Sequence, residues 1–354
     1  MSGGVDSSVA AALLLEQGYD VVGVTLNLFS LSGKDCRDEN KKSCCGWGAA
    51  EDAHRVCLQL GIQHYVIEMK KEFEAKVIAD FCSEYRRGRT PNPCIRCNEF
   101  IKFEKLMKRA DTLDAHFLAT GHHARVEPDP AGPKFFLKKG VDSQKDQSYF
   151  LHKLTQNQLS RILMPVGLFT KKEVRNKAAE LGLAVAQRPE SQEICFVPDK
   201  DYARFLLDRI PEAFHPGPVV DVLGRTIGRH KGIPGFTVGQ RRGMGIAAPH
   251  PLYVLEIDSQ TNTIVAGRDE KLYKKELLVS GVNIIVGFDL DKPFRVKAKI
   301  RYKHREAPAI LIPLEKDRVC IRFDSPQRAV TPGQAAVFYD GETVIGGGQI
   351  EGGV

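Results

Sequence analysis

The sequence predicts an α/β protein: a doubly wound parallel sheet in its N-terminal part, then a small central domain and a C-terminal β-barrel. Three observations point there. Strand-like and helix-like apolar segments alternate over about the first 200 of 354 residues, the pattern of βαβ units with ligands at the carboxyl ends of the strands. A glycine- and hydroxyl-rich loop, SGGVDSS at 2–8, opens the first helix. Past about residue 200, Gly and Pro become frequent, the strand-like runs shorten and turns recur regularly, which favours small barrels over βαβ units. The composition shifts near 200 and near 276, so domains are expected at 1–200, 201–275 and 276–354.

The elements follow in order. SGGVDSS leads into VAAALLLEQGY, an apolar run read as a helix ended by Gly18. DVVGVTLNL (20–28) is apolar enough for a strand buried on both faces. A polar, cysteine-bearing loop covers about 30–46, and a helix over about 47–60 stops at Gly61. HYVIEM (64–69) reads as a strand and EFEAKVIADFCSEYRRG (72–88) as a helix. RTPNPCIRCN (89–98) reads as a proline-stiffened loop, FIKFEKLMKRA as a helix, and AHFLATGHHA (115–124) as a strand ending in a loop. TKKEVRNKAAELG (170–182) is a helix with a Thr cap and a Gly stop. In the C-terminal third, GPVVDVLGRTIGRH, YVLEIDSQTNTIVAG, RVKAKIRY and AAVFYDGETVIGGGQI read as short strands and turns.

Composition narrows the function classes. No run approaches the ~18 apolar residues of a membrane span and no signal peptide is visible. A membrane protein is not expected, and bacterial cytoplasm is the default compartment. The net charge of +7 is modest but clustered. Residues 86–109 carry eight basic residues against two acidic ones, and residues 224–245 hold Arg225, Arg229, Lys231, Arg241 and Arg242 with no acid. Any single run of this kind is usually a solvated face; two, beside candidate chemistry, suggest a polyanion partner such as nucleic acid. Nine cysteines, an odd number, argue for a reducing compartment and for metal or catalytic use of some thiols.

Two constellations carry chemistry. A loop like SGGVDSS aims backbone N–H groups at one spot at the positive end of a helix dipole, which holds an anion such as pyrophosphate. It is not a Walker loop, because it lacks GxxxxGK[ST] and has no lysine. Its plain alternative is a glycine turn capping a helix. The second constellation is Cys94 and Cys97, a CxxC flanked by Arg89 and Arg96, with Cys195 about a hundred residues on. Neighbouring arginines lower thiol pKa values, and thiolates serve as nucleophiles, sulfur carriers or soft-metal ligands. Three loop thiolates can hold an iron–sulfur cluster with one iron free of protein. A structural zinc site is the alternative, with Cys44 and Cys45 supplying the remaining ligands. Cys57, Cys82 and Cys320 sit in apolar patterns and are expected in the core. His122 and His123 end a strand at the ligand edge and serve either the nucleotide or only their loop. Gln240 either fixes RNA or belongs to a tight turn, and Trp47 is expected to pack.

SGGVDSS is the signature of the PP-loop ATP pyrophosphatases, which cleave ATP between the α and β phosphates. Together SGGVDSS, RTPNPCIRCN, ATGH (119–122), KDQSYFL (145–151), ICF (194–196), TVGQRRGMGI (237–246) and VTPGQAAVFYDG (330–341) occur in the order seen in tRNA-specific 2-thiouridylases, which this chain resembles over essentially its whole length. The resemblance implies an adenine nucleotide α-hydrolase-like catalytic domain, a small central tRNA-contacting domain and a C-terminal β-barrel. It implies ATP-dependent 2-thiolation of the wobble uridine of tRNA, with magnesium, an anticodon loop as partner, and a sulfur-donor protein or inorganic sulfide. Carried over by position, Ser2, Gly3, Gly4, Val5, Asp6, Ser7, Leu26 and Gly121 would hold ATP. Asn92, Pro93 and position 94 would meet the target base. Lys145, Asp146, Gln147, Arg301 and Tyr302 would contact tRNA, and Cys97 and Cys195 would be the functional cysteines.

One position departs from the family pattern. Many members carry aspartate where Cys94 stands. The change completes a trio, Cys94, Cys97 and Cys195, and related PP-loop enzymes hold a four-iron, four-sulfur cluster on three cysteines. A cluster is therefore expected, with a Cys195 persulfide closed by Cys97 as the alternative. Another PP-loop ligase, such as a GMP or argininosuccinate synthetase, would leave the thiols and basic loops without a role. A non-catalytic RNA-binding protein would leave SGGVDSS idle. In a doubly wound fold the phosphate loop follows a strand, whereas here it begins at residue 2. A strand upstream of Met1 is expected, with a version extended upstream more stable and more active in ATP cleavage.

Overall fold

The computed structural model describes residues 1–29, 47–189, 194–197, 200–286 and 292–353. The chain divides into two compact units, one of residues 1–77, 94–200 and 342–344, the other of 78–93, 201–341 and 345–354.

In the first unit α1 (Val5–Glu16) follows the glycine loop directly. Its apolar run leaves Val5, Val9, Ala10 and Leu13 to pack with Val56, Val166, Val174 and Leu183. β1 (Gly23–Asn27) pairs in parallel with β2 (His64–Glu68), Gly23 opposite His64. α2 (Trp47–Leu60) lies between them in sequence, the crossover that a parallel pair requires. The predicted helix at 72–88 is a longer helical segment: α3 (Lys70–Phe73), a π-helical turn (Glu74–Ile78) and α4 (Ala79–Arg86).

The expected loop RTPNPCIRCN is extended only up to Asn92. From Pro93 it is helical, through α5 (Pro93–Arg96), a π-helix (Cys97–Lys105) and α6 (Leu106–Thr112). Proline favours the first helical position, where its missing N–H costs nothing, so the motif starts a helix instead of extending a loop. The expected strand 115–124 is also cut short. β3 is only Leu118–Ala119; Thr120–His123 leave the sheet, and β4 (Ala124–Pro128) starts an antiparallel hairpin with β5 (Phe135–Lys139). After α7 (Gln156–Leu159) comes β6 (Ile162–Leu163), which pairs in parallel with β3. α8 (Lys171–Glu180) follows, with Thr170 and Glu173 forming a capping box. Parallel pairs joined by helices are the α/β order read from the sequence.

In the second unit α4 and α9 (Tyr202–Arg209) meet through Tyr85 and Tyr202, whose rings stack at 5.2 Å. β7 (Gly217–Val220), β8 (Thr226–His230), β9 (Tyr253–Asp258) and β10 (Thr263–Gly267) form a sheet in the order β8-β7-β10-β9 over Val219, Phe236, Met244, Val254 and Ile264. β11 (Tyr273–Ile284), β12 (Phe294–Lys299), β13 (Ala307–Pro313), β14 (Val319–Arg328), β15 (Ala335–Asp340) and β16 (Thr343–Gly353) close as a barrel, because β11 pairs with both β14 and β16. Val319, Ile321 and Phe323 point inward at period two, with Arg322 and Asp324 outward. Cys57 and Cys82 are buried as expected, whereas Cys320 is only half-buried.

Candidate active site

The glycine loop closes on itself. Gly4, extended at φ −96°, caps α1 and its carbonyl accepts the hydroxyls of Ser7 (3.1 Å) and Ser8 (3.0 Å). Ser7 Oγ in turn accepts the Ser2 N–H at 3.1 Å. The first N–H groups of a helix have no intrahelical acceptor and sit at its positive end, so this turn offers donors to an anion. Two glycines are required by geometry. Gly3 has φ +66°, and a Cβ there would strike the Ala49 carbonyl. Gly121 lies so close to the loop that a Cβ would stand 2.6 Å from Asp6 C and Ser7 N. Val5 is buried beneath the loop, and Leu26 stands half-buried near the carboxyl end of β1.

Asp6 is the electrostatic centre of this loop. Lys171 Nζ donates to both its carboxylate oxygens at 2.7 Å, and His123 Nε2 lies 3.0 Å from Oδ1. Burial pushes the Asp6 carboxyl up, but the hydrogen bonds and charges of His123 and Lys171 outweigh it and hold the group below the ordinary carboxylate value. Lys171 and His123 are both buried. Arg188 reaches the Gly3 carbonyl and Asp52. The sequence shows no lysine on the loop. The fold supplies one from 165 residues away. Sequence reasoning missed Lys171 and Arg188, although one signal was present: a helix that follows a parallel strand starts at the ligand edge of the sheet, and Lys171 is the first residue of α8. His122 turns elsewhere, its Nδ1 2.8 Å from Thr120 Oγ1; burial and nearby Lys102 hold its pKa well below the ordinary histidine value.

The segment before the CxxC is fixed within the second unit. Thr90 N–H donates to Pro332 O at 2.8 Å, Gln334 Nε2 donates to Thr90 O at 2.8 Å, and Thr90 Oγ1 donates to Thr237 Oγ1 at 3.1 Å. Three motifs far apart in sequence, RTPN, TVGQ and VTPGQ, thus meet there. Arg89 pairs with Glu84 at 2.9 Å and Glu351 at 2.7 Å. Asn92 and Pro93 end this fixed stretch, and the unit boundary falls between residues 93 and 94. Gln240 ties its own turn, accepting from Thr237 N–H at 3.0 Å and donating to Arg242 O at 2.9 Å.

Cys94 and Cys97 stand three residues apart at the start of the helical segment, Cys94 exposed and Cys97 half-buried. Cys195 is half-buried in the short stretch 194–197, whose Phe196 ring meets Phe73 at 5.7 Å. Among the described residues no three His, Cys, Asp or Glu side chains gather closely enough to hold a metal ion. Cys36, Cys44 and Cys45 and the side chain of Trp47 lie outside the described residues.

The RNA-contact candidates divide by environment. Asp146 is buried, and its carboxylate accepts Gly140 N–H, Ser148 N–H and Ser148 Oγ at 2.9–3.1 Å. Gln147 Oε1 accepts the His123 N–H at 3.0 Å. Lys145 is half-buried nearby. On the barrel, Arg301 Nη2 donates to Arg328 O at 2.6 Å, and Lys299 Nζ stands 5.6 Å from the Tyr302 ring. Much of the basic run 86–109 has acidic partners: Arg86 with Glu212, Arg96 with Glu99 and Lys108 with Glu104. No helix among the described residues is long and apolar enough to cross a membrane.

The chain matches known protein families over almost its whole length. The tRNA methyl transferase HUP domain model matches residues 1–199, the tRNA methyl transferase PRC-barrel domain model residues 203–268, and the aminomethyltransferase beta-barrel domain model residues 274–350. The chain is 51% identical over 354 residues to the tRNA-specific 2-thiouridylase of Acetivibrio thermocellus, covering 99% of this chain and 98% of that one. It is 52% identical over 352 residues to the tRNA-specific 2-thiouridylase of Heliobacterium modesticaldum, covering 99% and 91%. A similar enzyme of Caldanaerobacter subterraneus is 51% identical over 352 residues, covering 99% and 96%. The chain belongs to the tRNA-specific 2-thiouridylase family.

Proposed function

We propose that this member of the family is a tRNA-uridine 2-sulfurtransferase that uses ATP to replace the 2-oxygen of the wobble uridine with sulfur. The observation that carries the reading is the phosphate loop at 2–7, packed against Gly121, with the buried cation Lys171 on Asp6. The 2-oxygen of uracil is a poor leaving group. Attack of that oxygen on the α-phosphate releases pyrophosphate toward the loop and leaves the oxygen as part of AMP. Magnesium, where bound, would neutralise charge on the phosphates, and Asp6 is the carboxylate available to it at this loop. A base in an anticodon loop is splayed at low cost, and the basic segments at 86–109 and 224–245 suit backbone phosphates with strong salt dependence.

For the sulfur step we infer that Cys195 carries a persulfide: its thiolate attacks the outer sulfur of a sulfur-donor protein's persulfide, and the donor cysteine leaves as thiolate. The terminal sulfur on Cys195 attacks C2 and AMP departs with the 2-oxygen. The Cys97 thiolate then attacks Cys195 Sγ, the S–S bond breaks with its electron pair on the transferred sulfur, and a Cys97–Cys195 disulfide remains for a dithiol to reduce. The spacing of Cys94 and Cys97, one helical turn apart, supports a second reading in which both join Cys195 on a four-iron, four-sulfur cluster.

The test is iron and acid-labile sulfide content of anaerobically purified protein, beside thiolation of tRNA, for wild type and Cys94→Ala. About four irons per chain, lost in the variant together with activity, would establish the cluster. Iron-free protein that thiolates tRNA, with Cys94→Asp active, supports the persulfide. No tRNA-dependent pyrophosphate release from ATP by wild type would reject the function itself.

A further inference from the structure

The two side chains that hold Asp6 are themselves held by one loop, residues 140–148, of which the family resemblance assigns Lys145, Asp146 and Gln147 to RNA contact. One arm runs through Asp142. Its Oδ2 accepts the Lys171 N–H at 3.0 Å, while Oδ1 accepts the Gln144 N–H at 3.0 Å. Lys171 then carries its ammonium to Asp6 at 2.7 Å. The other arm runs through Gln147. Its side-chain Oε1 accepts the His123 N–H at 3.0 Å, and its own N–H donates to His123 O at 2.8 Å, so His123 is bracketed on both sides of its backbone. His123 Nε2 then meets Asp6 at 3.0 Å. Asp146 ties the base of the loop through Gly140 and Ser148. Every link is buried or half-buried, while the tip residues Ser143 and Gln144 are exposed.

We propose that Gln147 and Asp142 are positioning residues for ATP cleavage: through His123 and Lys171 they set Asp6, so that an RNA seated on loop 140–148 aligns the phosphate loop for reaction. This rests on the tRNA sulfurtransferase reading. Lys145 stands between the two arms in sequence, three residues after Asp142 and two before Gln147. A phosphate drawn to that cation acts on a loop whose Asp142, Asp146 and Gln147 side chains are tied to backbone N–H groups. In this arrangement Gln147 serves the nucleotide through His123 instead of touching RNA. Coupling between two sites is typically worth a five- to 150-fold change, on the order of one to two decades. Shared hydrogen-bonded partners of one carboxylate are the kind of contiguous contact that carries it.

The experiment compares pyrophosphate release from ATP with and without unmodified tRNA, alongside tRNA affinity by filter binding and thermal midpoint. Gln147→Leu removes the acceptor for the His123 N–H. It is expected to lower stimulation by tRNA about tenfold while tRNA affinity stays within about threefold. Gln147→Glu keeps a carboxyl oxygen in the same place and is expected to restore the stimulation. Asp142→Ala breaks the other arm, is expected to act in the same direction, and carries the test if Gln147→Leu fails to fold. Loss of tRNA affinity in proportion to activity would overturn the proposal, because Gln147 would then be an RNA contact. Unchanged stimulation in both variants would also overturn it. Wild type with no tRNA-dependent pyrophosphate release would instead reject the function, and the coupling with it.

Discussion

The phosphate loop at 2–7 and the segment 89–93 are both short, both precede a helix, and are fixed by opposite means. The phosphate loop is held by side-chain charges, with Lys171 and His123 on Asp6 and Arg188 on the Gly3 carbonyl. The segment 89–93 is held mainly through its backbone, with Thr90 bonded from its N–H to Pro332 O and from its carbonyl to Gln334. A charged ligand competes for the first set of partners, since phosphate or a cation can replace either half of an ion pair. It has nothing to exchange with the Thr90 backbone bonds of the second, where the charge it meets is Arg89, paired with Glu84 and Glu351. Under the proposed function, the difference lets the first region rearrange when nucleotide arrives while the second presents Asn92 and Pro93 in a constant position.

The strongest way to break the comparison is at Asp6. Asp6→Ala is expected to abolish tRNA-dependent pyrophosphate release while tRNA affinity stays nearly intact; turnover at the wild-type rate would remove the phosphate loop from the mechanism. Gly121→Val comes next. Its side chain would enter the backbone of Asp6 and Ser7, and ATP cleavage is expected to fall by about two orders of magnitude, the scale of a misplaced reacting group. A well-folded variant with normal cleavage would show that the loop needs no such close approach.

On the other side, Gln334→Ala is expected to cost about 1–2 kcal/mol of stability by leaving the Thr90 carbonyl without its donor. Urea unfolding would read that loss, and pyrophosphate affinity is expected to stay unchanged. A loss of pyrophosphate affinity without a loss of stability would reverse the roles of the two regions.

The smallest effect is on pH dependence. Burial, ahead of the neighbouring charges of Lys153 and Arg96, lowers the pKa of His152 from 6.5 to about 3. The unfolded chain takes up a proton below pH 6.5 that the folded chain refuses, so stability is full above that value and declines as pH falls toward 3. The slope approaches about 1.4 kcal/mol per pH unit from this one group. His152→Asn is expected to flatten that limb between pH 6.5 and 5, measured from urea midpoints. Asp6 behaves in the opposite sense. Its pair contributes fully above the ordinary carboxylate value of 3.8 and is lost only as pH falls below it, so it adds no slope in the same interval.

Much of this was legible without coordinates, and the reasons are local. The phosphate loop and the Thr170 cap announce themselves because a few adjacent residues specify each turn. The family was legible because seven motifs stand in a fixed order along the chain. The helical start at Pro93 was misread as loop, although proline at a first helical position was the available signal. The strand ending at His123 was drawn too long. Four of its residues leave the sheet after Ala119, and the His123 backbone bonds instead to Gln147, a competition that no local pattern records.

By itself the sequence determined the α/β order, the short-stranded barrel after residue 200, the anion-binding turn and the inventory of thiols, because periodicity, glycine placement and residue chemistry act over a few positions. Only the tertiary structure decided that Lys171 supplies the cation the loop lacks, that His123 meets Asp6 while its neighbour His122 does not, and that TVGQ and VTPGQ clasp the RTPN segment. Those pairings join residues 117 to 244 positions apart. They exist only once packing has brought separate elements together, and buried partners of one carboxylate leave no periodic trace in the chain.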